Sequence, residues 1–115
     1  TNKPVAAARD ILRHFGIEGA FAAVGGGDSF PVRKPDPGHL LGTIGQARGA
    51  PANAVMIGDH ANDIAAARGA GVRSVYAEWG YGQPAYAQGA TACAAIRDVP
   101  ALLDALLPDT GAPAV

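Results

Sequence analysis

The run Ala54-Val55-Met56-Ile57-Gly58 is apolar at every position and is followed at once by Asp59. A strand with one wet face alternates apolar and polar residues. An unbroken apolar run therefore predicts a strand covered on both faces, the situation of a parallel sheet between helices. The flanking segments fit that frame. Leu40, Leu41 and Ile44 share one face of a helix predicted over His39–Arg48 and stopped by Gly49. Ala61–Arg68 predicts a helix ended by Gly69, and Val72–Ala77 a further strand. Val5, Ala8, Ile11, Leu12 and Phe15 predict a helix over Pro4–His14, with Pro4 in its first turn and Thr1 or Asn2 as its cap. Ala20–Val24, closed by Gly25-Gly26-Gly27, reads as a short buried strand with a flexible loop behind it. The three prolines of Ser29–Pro37 exclude regular helix, Gly80–Pro84 is loop, Thr91–Ala95 is a weaker strand, and Pro100–Leu107 is a last helix. Strands alternating with helices predict a doubly wound, Rossmann-like parallel α/β sheet in one domain over residues 1–107, with a frayed tail over 108–115.

Composition limits what such a chain can bury. Apolar residues are 49% of the 115, but 26 of them are Ala, and Leu, Ile, Val and Phe together number only 24. Ala fills little volume, so the core is expected to be thin. The net charge is −1 with no basic stripe or polybasic cluster, which argues against nucleic-acid and membrane-surface partners. No apolar run approaches the roughly 18 residues needed to span a bilayer, and no signal-peptide pattern opens the sequence. Cys93 is the single cysteine and reads as a small buried hydrophobe. A cytoplasmic protein is the expectation.

Ligands of open α/β sheets bind outside the carboxyl ends of the strands. Asp59 stands at such an end, and Asp63 lies four residues on, in the first turn of the next helix. The spacing points both carboxylates to one side, a hard oxygen-donor pair suited to Mg²⁺. The same two residues also suit a plain helix cap. Lys34 lies in the Arg33-Lys34-Pro35-Asp36-Pro37 turn, where two prolines stiffen the loop around a cation; a merely exposed lysine is the alternative. Thr1-Asn2 offers a hydroxyl and an amide for phosphate oxygens. His14, His39 and His60 have no metal-ligand spacing, and His60 is a weaker candidate for touching substrate. Trp79 and Tyr81 flank Gly80 and are expected to pack in the core or loop.

Taken in order, Thr1-Asn2-Lys3-Pro4, Arg33-Lys34-Pro35-Asp36-Pro37, Gly58-Asp59-His60-Ala61-Asn62-Asp63 and Ala77-Glu78-Trp79-Gly80-Tyr81-Gly82 resemble the motifs of the haloacid dehalogenase-like (HAD) phosphohydrolases. Within that family they are most similar to the phosphatases of small phosphomonoesters, 2-phosphoglycolate foremost. The resemblance runs from Thr1 to about Gly82. It implies that the Thr1 hydroxyl and Asn2 bind the transferring phosphoryl group. Lys34 would neutralise phosphate charge and steady an attacking carboxylate. Asp59 would ligate Mg²⁺, and Asp63 would hold Lys34 or a metal-bound water. Phosphoryl transfer asks mainly for positioning and charge stabilisation, which this set supplies.

The resemblance is incomplete. The family's nucleophile is an aspartate of an Asp-x-Asp motif on the first strand, upstream of the threonine. The aspartates here are at 10, 28, 36, 59, 63, 98, 104 and 109, and no two are two positions apart. The implied sheet order, 3-2-1-4-5, makes Ala20–Val24 strand 3, Ala54–Gly58 strand 4 and Val72–Ala77 strand 5. The first two strands and the substrate-selecting cap are not represented. The expectation is the C-terminal portion of a HAD core, inactive alone, with the N-terminal half of the same enzyme as partner, from this or another chain. A non-catalytic binding remnant is the alternative. A mutase or pyrophosphatase within the family stays open, since cap residues decide it. A signalling receiver domain carries a similar Asp, Thr and Lys set, but there the acids precede the threonine and lysine.

Overall fold

The structure is a computed structural model and describes residues 1–108. Its centre is a parallel sheet of three strands in the order β1 (Val55–Gly58), β2 (Arg73–Ala77), β3 (Thr91–Cys93). Helices α1 (Val5–His14), α2 (Pro37–Gln46), α3 (Ala61–Ala70) and α4 (Val99–Leu106) alternate with or precede the strands. The β1–α3–β2 unit is the crossover predicted over Ala54–Ala77. Its register pairs Ile57 with Val75 and Gly58 with Tyr76. The apolar side chains of Ile64, Val72, Val75, Tyr76 and Cys93, with Ala66, Ala67 and Ala77, are buried around that unit. The core is thin, as the alanine content implies, and Cys93 is inside it at 3% exposure.

Local signals explain the helix ends. At α2, Asp36 Oδ1 accepts the Gly38 N–H at 2.8 Å, and Pro37 occupies the first turn, where its missing N–H leaves nothing unsatisfied. The helix therefore starts two residues before His39. At α3, the His60 ring accepts the Asn62 N–H, while Asp63 Oδ2 accepts the His60 N–H at 3.1 Å, a reciprocal capping box. The helix runs past Gly69, which packs against Pro37 of α2, and ends at Gly71 with φ of 70°. At α1 neither Thr1 nor Asn2 caps. Asp28 does so from the far loop, accepting the Val5 N–H at 2.8 Å. This correction has a geometric cause: Thr1 and Asn2 face the glycine loop and Lys34 instead.

Three further expectations change. Ala20–Val24 is not a strand: Glu18–Ala20 is a 3₁₀ turn and residues 21–24 run on without a ladder. A strand exists only with a hydrogen-bonded neighbour, and among the described residues none lies beside this run. β1 is not covered on both faces either: none of its residues is buried and Ile57 is 37% exposed, and it also has a paired neighbour on one edge only. The Gly25-Gly26-Gly27 stretch is buried rather than a flexible loop. The expected tail lies outside the described residues from 109 onward.

Ile64 is 1% exposed at the contact of α3 with the sheet. Ile64→Ala is expected to lower the unfolding free energy by about 2–5 kcal/mol. Urea denaturation followed by circular dichroism checks it, and an unchanged midpoint contradicts this placement of the core.

Candidate active site

The glycine stretch brings the two ends of the candidate site together. A Cβ on Gly26 would strike the Val5 backbone, and one on Gly27 would strike the Asn2 carbonyl. With no side chains there, the Gly27 N–H reaches the Lys3 carbonyl at 2.7 Å, and the Thr1 amine reaches the Gly25 carbonyl at 3.0 Å. Buried His39 bonds through Nε2 to the Gly26 carbonyl at 2.6 Å and stacks edge-on against Phe30. The loop that follows carries Lys34. Asn2 Nδ2 donates to the Lys34 carbonyl at 3.2 Å, so the Asn2 side chain meets the Lys34 backbone. The Lys34–Pro35 peptide bond is cis.

Lys34 Nζ pairs with Asp63 Oδ1. Their side chains are only 14% and 7% exposed. Asp63 thus spends one oxygen on Lys34 and the other on the His60 N–H, joining the Lys34 loop to the start of α3. Gly58 permits this approach, because a Cβ there would overlap the Asp63 carboxylate.

Asp59 takes a different partner from Asp63. Its Oδ2 accepts the Tyr81 N–H at 2.9 Å. The two acids have different partners: Asp63 meets Lys34, the contact the resemblance implies, and caps α3, while Asp59 meets the turn after β2. Mg²⁺ takes oxygen donors and is often held by one or two protein carboxylates completed by phosphate and water. Asp59 fits as one such donor in chemistry and position. It does not complete a site, since among the described residues no group of three or more His, Cys, Asp or Glu side chains is placed to hold a metal. His60 is the cap of α3 and its ring lies 4.9 Å from that of Tyr86. Tyr81 does not pack as expected; its side chain is fully exposed, and Trp79 is 41% exposed. The Tyr81 contribution is its backbone N–H, which no residue-type pattern signals. The role of His39 was equally hidden, since a lone histidine on a helix carries no motif.

Beside Thr1 and Lys34 lies a hollow of about 420 Å³, walled by apolar side chains including Ile11 and Leu12 of α1, Val24, Leu40 and Met56. No residue of α1 is buried, although its apolar stripe faces this side.

The sequence model of the haloacid dehalogenase-like hydrolases matches residues 1–71. The chain belongs to that family. It is 46% identical over 81 residues to a phosphoglycolate phosphatase of Agrobacterium fabrum, an overlap of 70% of this chain and 35% of that protein. It is 40% identical over 107 residues to a phosphoglycolate phosphatase of Psychrobacter arcticus, covering 93% of this chain and 46% of that one. The chain thus spans less than half the length of these relatives. A HAD-superfamily hydrolase of Geobacter sulfurreducens superposes with a TM-score of 0.74 at 26% identity, over 90% of this chain and 46% of that one. A HAD-superfamily hydrolase of Ehrlichia chaffeensis shares the fold, with a TM-score of 0.77 at 21% identity over 91% and 47%. The fold is a partial HAD core. No helix among the described residues is long and apolar enough to cross a membrane.

Removing one member of a buried ion pair leaves the other charge without compensation. Lys34→Met is expected to lower stability by about 3–5 kcal/mol, and adding Asp63→Asn to recover part of that loss. Urea denaturation of both single variants and the double variant checks the coupling; strictly additive losses contradict it.

Proposed function

We propose that this chain is the phosphate-binding part of a Mg²⁺-dependent phosphatase acting on small phosphomonoesters, 2-phosphoglycolate first among them. One observation carries the reading: the buried Lys34–Asp63 pair lies at the carboxyl end of β1, where Asn2 bonds the Lys34 carbonyl and Thr1 and Lys34 line one hollow. Apolar residues of similar volume in place of a buried ion pair are often neutral or stabilising. A desolvated pair at a strand end therefore points to use rather than to stability. The names of the curated relatives and the family membership support the same class of reaction.

In this reading the Thr1 hydroxyl and Asn2 hold phosphoryl oxygens. Lys34 places its charge where negative charge builds in the transition state, and Asp63 keeps the ammonium aimed there at no cost in reorganisation. Thr1 Oγ1 already accepts the Lys3 N–H at 3.1 Å, which leaves its proton to donate. Asp59 would hold Mg²⁺, whose supply of positive charge screens the phosphate. Low exposure of the pair strengthens each of these interactions.

The nucleophile is not among this chain's aspartates. The hollow, the one-sided pairing of β1 and the open face of α1 fit a strand-bearing segment packed between β1 and residues 21–24. We assign that place to the N-terminal half of the same enzyme, in the same polypeptide or another, carrying the Asp-x-Asp nucleophile. By itself the chain is expected to be inactive. Joined to or mixed with such a segment, it is expected to hydrolyse p-nitrophenyl phosphate. Lys34→Ala and Asp59→Asn are each expected to lower kcat/KM by at least 10²-fold, on the order of losing one transition-state donor. Ordinary turnover in either variant defeats the assignment of roles.

A further inference from the structure

Tyr76 lies in β2 at 2% exposure, yet its hydroxyl reaches out of the core and donates to the Gln83 carbonyl at 2.7 Å. That bond ties down the segment that leaves β2 and passes over Asp59. Two glycines allow the close passage. A Cβ on Gly80 would meet the Asp59 side chain, and one on Gly82 would meet both the Asp59 carbonyl and the Tyr76 hydroxyl. Where the segment comes nearest, the Tyr81 N–H donates to Asp59 Oδ2. The far end is held too, by Arg68 of α3 donating to the Gln88 carbonyl at 2.8 Å. The Tyr76 hydroxyl pKa is raised, first by burial and then by Asp59, which agrees with the two groups being near one another.

From this geometry we infer that Tyr76 is a positioning residue for Asp59, acting through the Gly80-Tyr81-Gly82 turn. The tyrosine hydroxyl fixes the turn, the turn aims one N–H, and that N–H fixes which way the carboxylate points. A carboxylate restrained at one oxygen presents the other in a set direction, so less order is lost when a cation binds. Outer partners of metal-binding carboxylates are commonly worth 10–100-fold in affinity. The inference rests on the reading of Asp59 as the Mg²⁺ donor.

Tyr76→Phe keeps the ring in the core and removes only the hydroxyl. The first readout needs no metal and no activity. In the chain itself, the Tyr81 amide is expected to exchange with deuterium on the order of tenfold faster in Tyr76→Phe, while the amides of β2 keep their protection. The second uses the enzyme completed by the nucleophile segment. There the Mg²⁺ concentration for half-maximal rate is expected to rise on the order of tenfold, with KM for p-nitrophenyl phosphate at saturating Mg²⁺ unchanged. Gly80→Ala, whose methyl would meet the Asp59 side chain and push the turn away from it, is expected to raise the Mg²⁺ requirement likewise and decides the matter should Tyr76→Phe not fold. An unaltered Mg²⁺ requirement in the folded variants overturns the positioning role. A wild-type Mg²⁺ response in Asp59→Asn instead removes the metal assignment of Asp59, and the inference falls with it for a separate and recognisable reason.

Discussion

The Asp63 carboxylate is the junction on which the site depends. One oxygen takes the Lys34 ammonium and the other the His60 N–H. A loop rich in prolines, the end of β1 and the first turn of α3 are thereby joined through one side chain. Desolvation makes such a junction costly to form and more costly to break halfway. Gly58 has no side chain because the carboxylate occupies that space, and Gly26 and Gly27 let Val5 and Asn2 lie close against the glycine stretch.

The structure also shows a division of labour between the two aspartates that motif spacing merges. Asp63 is consumed internally, as cap and counter-ion. Asp59 instead accepts a backbone N–H from the turn after β2. Position at a strand end made both residues candidates; their hydrogen-bond partners differ.

The same economy explains what this chain leaves open. Buried apolar side chains gather around β1, α3 and β2, where the crossover supplies its own neighbours. On the other side of β1, α1 and residues 21–24 face a hollow, and none of the α1 side chains is buried. The helix is amphipathic, and its apolar stripe borders space rather than sheet. The chain covers less than half of the length of its curated relatives.

Much of this was legible in the sequence because it is local. The apolar run ending at Asp59, the periodicity of α2 and α3 and the burial of Cys93 follow from residues a few positions apart. The Lys34 and Asp59–Asp63 motifs were visible for the same reason. The Asp36-Pro37 start of α2 was not read, because the prolines before it signal only a break in helix. Only tertiary structure decided the rest. Residues 21–24 read as a strand but have no ladder, because strand formation needs a distant neighbour that no local pattern contains. Asp28 rather than Thr1 caps α1, and Tyr81 serves Asp59 by its backbone, because both contacts close loops of more than twenty residues. Periodicity reports which face of an element is apolar; it carries no record of what the folded chain brings against that face.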